Sequence, residues 1–136
     1  MMNYSPLSLW PLAAVASGAA LGACARYLLG VFLNPLAPAL PMGTLAANLL
    51  GGYLVGVFVG LVHCCSALGP LGKLFFITGA LGGLTTFSTF SAETVERLLA
   101  GRLAEALTLV TAHLAGSLLL TWLGLLSVNA VRALAK

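Results

Sequence analysis

The chain has 136 residues, 60% of them hydrophobic and 7% charged, with six lysines and arginines against three acidic residues and a formal net charge of +3. Soluble domains average about 25% charged residues, so a mean hydropathy of +1.08 excludes that class. The basic residues are scattered singly, without the patch or stripe that nucleic-acid binding requires.

Four apolar stretches are each long enough to cross a hydrocarbon core, which takes about 20 helical residues. They predict one all-α transmembrane domain over residues 1–136, with helices at about 7–33, 42–65, 73–99 and 103–128. The first, from about Leu7, is interrupted only by Arg26. The stretch Leu21-Gly22-Ala23-Cys24 is like a lipoprotein cleavage site, but no basic residue precedes the apolar run and three more spans follow, so a cleaved signal peptide is not expected. Cys24, Cys64 and Cys65 lack the paired spacing of a zinc site and are expected to be small apolar fillers.

Asn34-Pro35, Pro38 and Pro41 mark a turn-rich link to the second span. That span carries Thr44, Asn48 and Gly52 at four-residue spacing, and its glycine stripe continues through Gly56 and Gly60. Gly18 and Gly22 form a similar stripe on the first span. Such faces let membrane helices approach closely and are read here as support for oligomerisation. Asn48 is open to two readings. It is either glue between helices or an amide whose NH₂ donates to a passing anion. Gly69-Pro70 cannot continue a helix and ends the segment after the second span, near Ser66 to Gly72.

The third span holds Gly79-Ala80-Leu81-Gly82-Gly83-Leu84-Thr85-Thr86-Phe87-Ser88-Thr89-Phe90-Ser91 in an otherwise apolar run. Glycines, hydroxyls and β-branched residues weaken the helix. A loosened backbone at membrane depth survives only when buried in protein or lining a wet cavity, which predicts a broken third helix and an ion or solute site. Phe87 and Phe90 share a face if the second half is helical. Their ring rims are electropositive, so edge-on contact with a bare anion is favourable, although a Phe pair serves equally well as packing. The hydroxyls of Thr85, Thr86, Ser88 and Thr89 favour the anion reading. Glu93 and Arg97, with Glu96 beside them, read as a structural pair at the membrane edge.

The fourth span carries His113, Ser117 and Thr121 at four-residue spacing, a stripe that can continue a pore wall, and a basic tail with Arg132 and Lys136 follows it. His113 either titrates or sits neutral and hydrogen-bonded. Arg26 either snorkels to the nearer surface or forms a positive collar at a vestibule. An even number of spans puts Lys73, Arg132 and Lys136 on one side, and Arg97 and Arg102, with Arg26 nearest them, on the other. Because Lys/Arg asymmetry normally fixes orientation, this balance predicts either orientation by partners or dual topology, in which the chain pairs with an inverted copy.

No catalytic constellation exists, since the acids all fall between Glu93 and Glu105 and His63 and His113 lie in different spans. A proton-coupled exporter needs an intramembrane carboxylate that the first, second and fourth spans do not offer, apart from Glu105 at the edge of the fourth. A small dual-topology drug or cation exporter is thus disfavoured. A scaffold or assembly subunit leaves the Thr/Ser/Phe cluster unexplained.

Gly82-Gly83-Leu84-Thr85-Thr86-Phe87-Ser88-Thr89-Phe90-Ser91, with Gly43-Thr44-Leu45-Ala46-Ala47-Asn48-Leu49-Leu50-Gly51 upstream and Arg26 in the first span, resembles the Fluc (CrcB-type) fluoride channels over nearly the whole chain. The resemblance implies an antiparallel, dual-topology homodimer in the bacterial inner membrane, with two pores that let fluoride leave the cytoplasm passively. It implies a structural, untransported Na⁺ on the backbone carbonyls of Gly82 and Thr85 of both copies. It also implies a fluoride path along Asn48, Phe87, Phe90, Ser88, Thr89 and Ser117, with Arg26 at the vestibule. The family's fourth helix usually presents a tyrosine and serines. Here Leu109 and His113 take two of those places, which puts His113 on the expected path.

Overall fold

The computed structural model describes residues 8–37, 40–64 and 68–135. Leu7, Pro38, Cys65, Ser66 and Lys136, which figure in the expectations above, lie outside the described residues, as does the side chain of Cys64. Helix α1 spans Leu9–Leu33 and passes into a short 3₁₀ turn, Asn34–Leu36. Helix α2 spans Met42–Cys64. A helical run at 70–84 comprises α3 (Pro70–Lys73), a π-helical segment (Leu74–Leu81) and α4 (Gly82–Leu84). Helix α5 (Phe87–Leu99) and helix α6 (Leu103–Leu134) complete the chain. Four helical stretches are long and apolar enough to cross a membrane, at Leu9–Leu36, Met42–His63, Pro70–Leu99 and Leu103–Leu134.

Two boundaries differ from the sequence reading. The third stretch begins at Pro70 rather than near Lys73, with Gly69 as N-cap in an extended conformation. Proline cannot continue a helix, but its fixed φ and missing N–H suit the first helical turn. The fourth runs to Leu134 rather than Val128, which takes Arg132 into the last turn, where a cation favours the helix dipole.

Packing follows the glycines. Helix α2 lies along α6, α1 lies along the π segment and α4, and α5 leans on α6. A Cβ on Gly56 would meet the Thr121 carbonyl, and one on Gly124 would meet the Tyr53 carbonyl. Gly18 and Gly22 face the carbonyls of Phe75 and Ala80 in the same way. The glycine stripes therefore join helices within one chain, which corrects the expectation that they serve oligomerisation. Gly56→Ala should cost about 1–3 kcal/mol or more, because backbone rather than a pliable side chain must move. A lowered midpoint of thermal unfolding in detergent checks this.

Polar links fix the ends. The Asn34 carboxamide accepts from the Gly43 N–H at 2.8 Å, tying the link to the start of α2. The Arg97 guanidinium donates to the Glu93 carbonyl at 2.8 Å and lies 3.8 Å from Glu105, which also meets Arg102 at 3.6 Å. The Glu93 carboxylate accepts from the Thr44 hydroxyl at 2.6 Å. Cys24 is exposed on the surface of the single chain instead of filling its interior.

Candidate functional site

Thr85 and Thr86 are extended, with ψ of 150° and 117°, between α4 and α5. Two diverted hydrogen bonds account for this. In a continuous helix the Thr86 N–H would bond to the Gly82 carbonyl, and the Thr89 N–H to the Thr85 carbonyl. Instead, the Thr86 N–H donates to Asn48 Oδ1 at 2.7 Å, and the Thr89 N–H donates to Thr86 Oγ1 at 3.1 Å. Thr86 is thus the N-cap of α5, a role Thr fills well because its short oxygen reaches the first-turn amides. The Arg26 Nε donates to the Gly83 carbonyl at 3.2 Å, so this arginine anchors α1 to the last turn before the extended pair.

Asn48 pairs with both backbone polar groups of Thr86. Its Nδ2 donates to the Thr86 carbonyl at 3.0 Å and lies 2.9 Å from His113 Nδ1. One amide on α2 therefore ties the extended pair to α6. The His113 ring stacks on Phe90, with centroids 4.6 Å apart and planes at 27°. Phe90 in turn meets Phe87 edge-on, at 5.6 Å and 65°. Phe90 is 7% exposed, whereas Phe87 is 74% exposed on the single chain.

These groups border a cavity of about 390 Å³ between α2, α5 and α6, lined in part by Asn48, Thr86, Phe87, Phe90, His113 and Ser117. Of the residues expected on the path, Asn48, Phe87, Phe90, His113 and Ser117 come together there. Thr85 lines it too. Ser88 and Thr89 do not line it as described and join the Thr86 cap, at 3.2 Å and 3.0 Å from its hydroxyl. Arg26 is also absent from the lining. Leu109, at 0% exposure, is a core residue. The sequence reading did not single out Thr86 as the pivot, although a threonine just before a new helical pattern is an N-cap signal. Thr121 was read as pore wall. It lines the cavity, and its hydroxyl shares a proton between the carbonyls of Gly52 (3.0 Å) and Ser117 (2.8 Å).

Four helical stretches long and apolar enough to cross a membrane, with a cavity between α2, α5 and α6, define a small multi-pass membrane protein. The family model described as "CrcB-like protein, Camphor Resistance (CrcB)" matches residues 13–125, and the chain belongs to that family. It is 65% identical over 115 residues to the "Fluoride-specific ion channel FluC" of Dechloromonas aromatica, covering 85% of each chain. It is 55% identical over 123 residues to the protein so named from Nitrosospira multiformis, covering 90% of this chain and 96% of the relative. The Chromohalobacter salexigens protein of that name is 54% identical over 123 residues, at 90% and 93% coverage.

Proposed function

We propose that this chain is a fluoride-selective channel that lets the ion leave the cytoplasm passively across the bacterial inner membrane. The observation that carries the reading is the edge-paired Phe87 and Phe90 beside Asn48 at the Thr85–Thr86 interruption, all on one cavity. Fluoride is small, strongly hydrated and a hydrogen-bond acceptor. Aromatic rims replace part of its hydration without a formal charge in direct contact with the ion, which would trap it.

The working unit is an antiparallel dimer of inverted copies, with the third helix broken at mid-membrane. The nearly even split of Lys and Arg between the two sides supports inversion. So does Phe87, which borders the cavity yet lies 74% exposed on one copy, where a second copy can cover it. Arg26, linked to Gly83, is the basic residue nearest the interruption along the first span and raises the local anion concentration at a vestibule.

The donor set suits a structural Na⁺. The Gly82 and Thr85 carbonyls are among those that lose their helical donors at the interruption, the Thr86 N–H being turned to Asn48 and the Thr89 N–H to Thr86 Oγ1. Unwound carbonyl oxygens are the usual Na⁺ ligands in broken membrane helices. Two such oxygens from each copy would hold the ion, which contributes a fixed positive charge that offsets the cost of bringing an anion close.

Liposomes loaded with fluoride and given a K⁺ ionophore to balance charge should discharge rapidly, as read by a fluoride electrode. Chloride release at a similar rate would overturn selectivity. Absence of fluoride release would return the chain to the exporter or scaffold readings.

A further inference from the structure

His113 is 3% exposed, its ring borders the cavity, and its buried Nε2 has no hydrogen-bond partner among the described residues. Its other nitrogen, Nδ1, lies 2.9 Å from Asn48 Nδ2. Thr86 fixes the direction of that contact. The Asn48 carboxamide pairs its oxygen with the Thr86 N–H and its nitrogen with the Thr86 carbonyl. A flipped amide would set donor against donor and acceptor against acceptor. One Nδ2 proton is thereby committed to the Thr86 carbonyl, and the second is left for His113 Nδ1, which has to accept it. A neutral imidazole that accepts at Nδ1 carries its proton on Nε2.

We infer that Asn48 is a positioning residue that locks His113 in the Nε2–H tautomer, and that this N–H is a hydrogen-bond donor to the anion passing through the cavity. The inference rests on the fluoride reading above. An unpaired buried donor costs about 1–3 kcal/mol, a penalty relieved each time an acceptor ion arrives. The stacked Phe90 and His113 rings, 4.6 Å apart, present C–H and N–H rims side by side, both positive at the edge. A neutral N–H donor is strong enough to draw the ion in and weak enough to let it go.

The second histidine gives an internal reference. His63 Nδ1 lies 2.8 Å from the Val59 carbonyl, which can only accept, so its neutral form carries the proton on Nδ1. In ¹⁵N-histidine-labelled protein above neutral pH, the two rings should show opposite tautomer patterns. The Nε2 resonance of His113 should move with sodium fluoride and stay in place with sodium chloride at equal ionic strength. In liposomes, hydrogen bonds to charged groups worth about 1.5–3 kcal/mol imply that His113→Leu slows fluoride release roughly tenfold to a hundredfold. His113→Gln, which keeps an N–H in reach, should recover most of that loss. An Nδ1–H or cationic His113, an Nε2 signal indifferent to fluoride, or a His113→Leu variant that conducts like the parent each overturns the inference. Unaltered protein that releases no fluoride at all defeats the channel reading itself, a result the labelled spectra cannot produce.

Discussion

Asn48→Asp should bring fluoride release down to nearly the level of protein-free liposomes. A carboxylate at this position borders the cavity, where on the proposed fluoride reading it meets the ion with a like charge. At about 4 Å two unit charges repel by ~4 kcal/mol at an effective dielectric of 20, or about three decades in rate. The same change removes the Nδ2 donor from the Thr86 carbonyl and from His113 Nδ1 while keeping the oxygen that accepts from the Thr86 N–H. The extended pair thus keeps one of its two anchors. A variant that runs on a sizing column like the parent but fails to release fluoride places the effect on the ion. A variant that conducts normally would show that the amide serves only to join α2, α5 and α6.

Hydropathy made the four spans legible, because crossing a bilayer imposes length and composition together. The Gly/Thr/Ser/Phe cluster, singled out because those residue types are costly in lipid without a purpose, contains the extended pair Thr85 and Thr86. Its mechanism was hidden. The bond that turns Thr86 aside comes from Asn48, 38 residues earlier in the chain, and no local pattern encodes that meeting. The π winding of Leu74–Leu81 was equally invisible. Helical period is read from alternating polar and apolar faces, and a uniformly apolar run has none to display. The glycine stripes were seen correctly as close-contact faces but assigned to the wrong partner. Small-residue spacing states that a backbone comes near, not whose backbone it is. Arg26 was weighed between snorkelling and a vestibule, whereas its Nε reaches the Gly83 carbonyl, an acceptor no side-chain pattern announces.

Phe90→Ile and Phe87→Ile should each slow fluoride release about tenfold or more, with Phe90→Ile the more severe. Isoleucine is apolar and of comparable bulk but has no electropositive rim, so what is lost is the ring's electrostatic edge rather than the wall itself. Cation–π contacts, which use the opposite pole of the same quadrupole, are worth up to about 2 kcal/mol when desolvated, and an edge contact of about 1.4 kcal/mol corresponds to one decade in rate. Phe90 carries a second burden. It stacks on His113 at 4.6 Å and meets Phe87 at 5.6 Å, and such ring pairs contribute about 0.5–1.5 kcal/mol beyond burial. Its loss therefore loosens the ring that presents Nε2 as well as removing one rim. Phe87, 74% exposed on the single chain, has little intrachain packing to lose. Its variant thus separates rim electrostatics from stability: the thermal midpoint should hold while fluoride release falls. Chloride release serves as the control in both cases, since a pore merely widened by isoleucine would admit the larger halide. Undiminished fluoride release in both variants would remove the rings from the path and leave the cavity's N–H donors to carry selectivity alone.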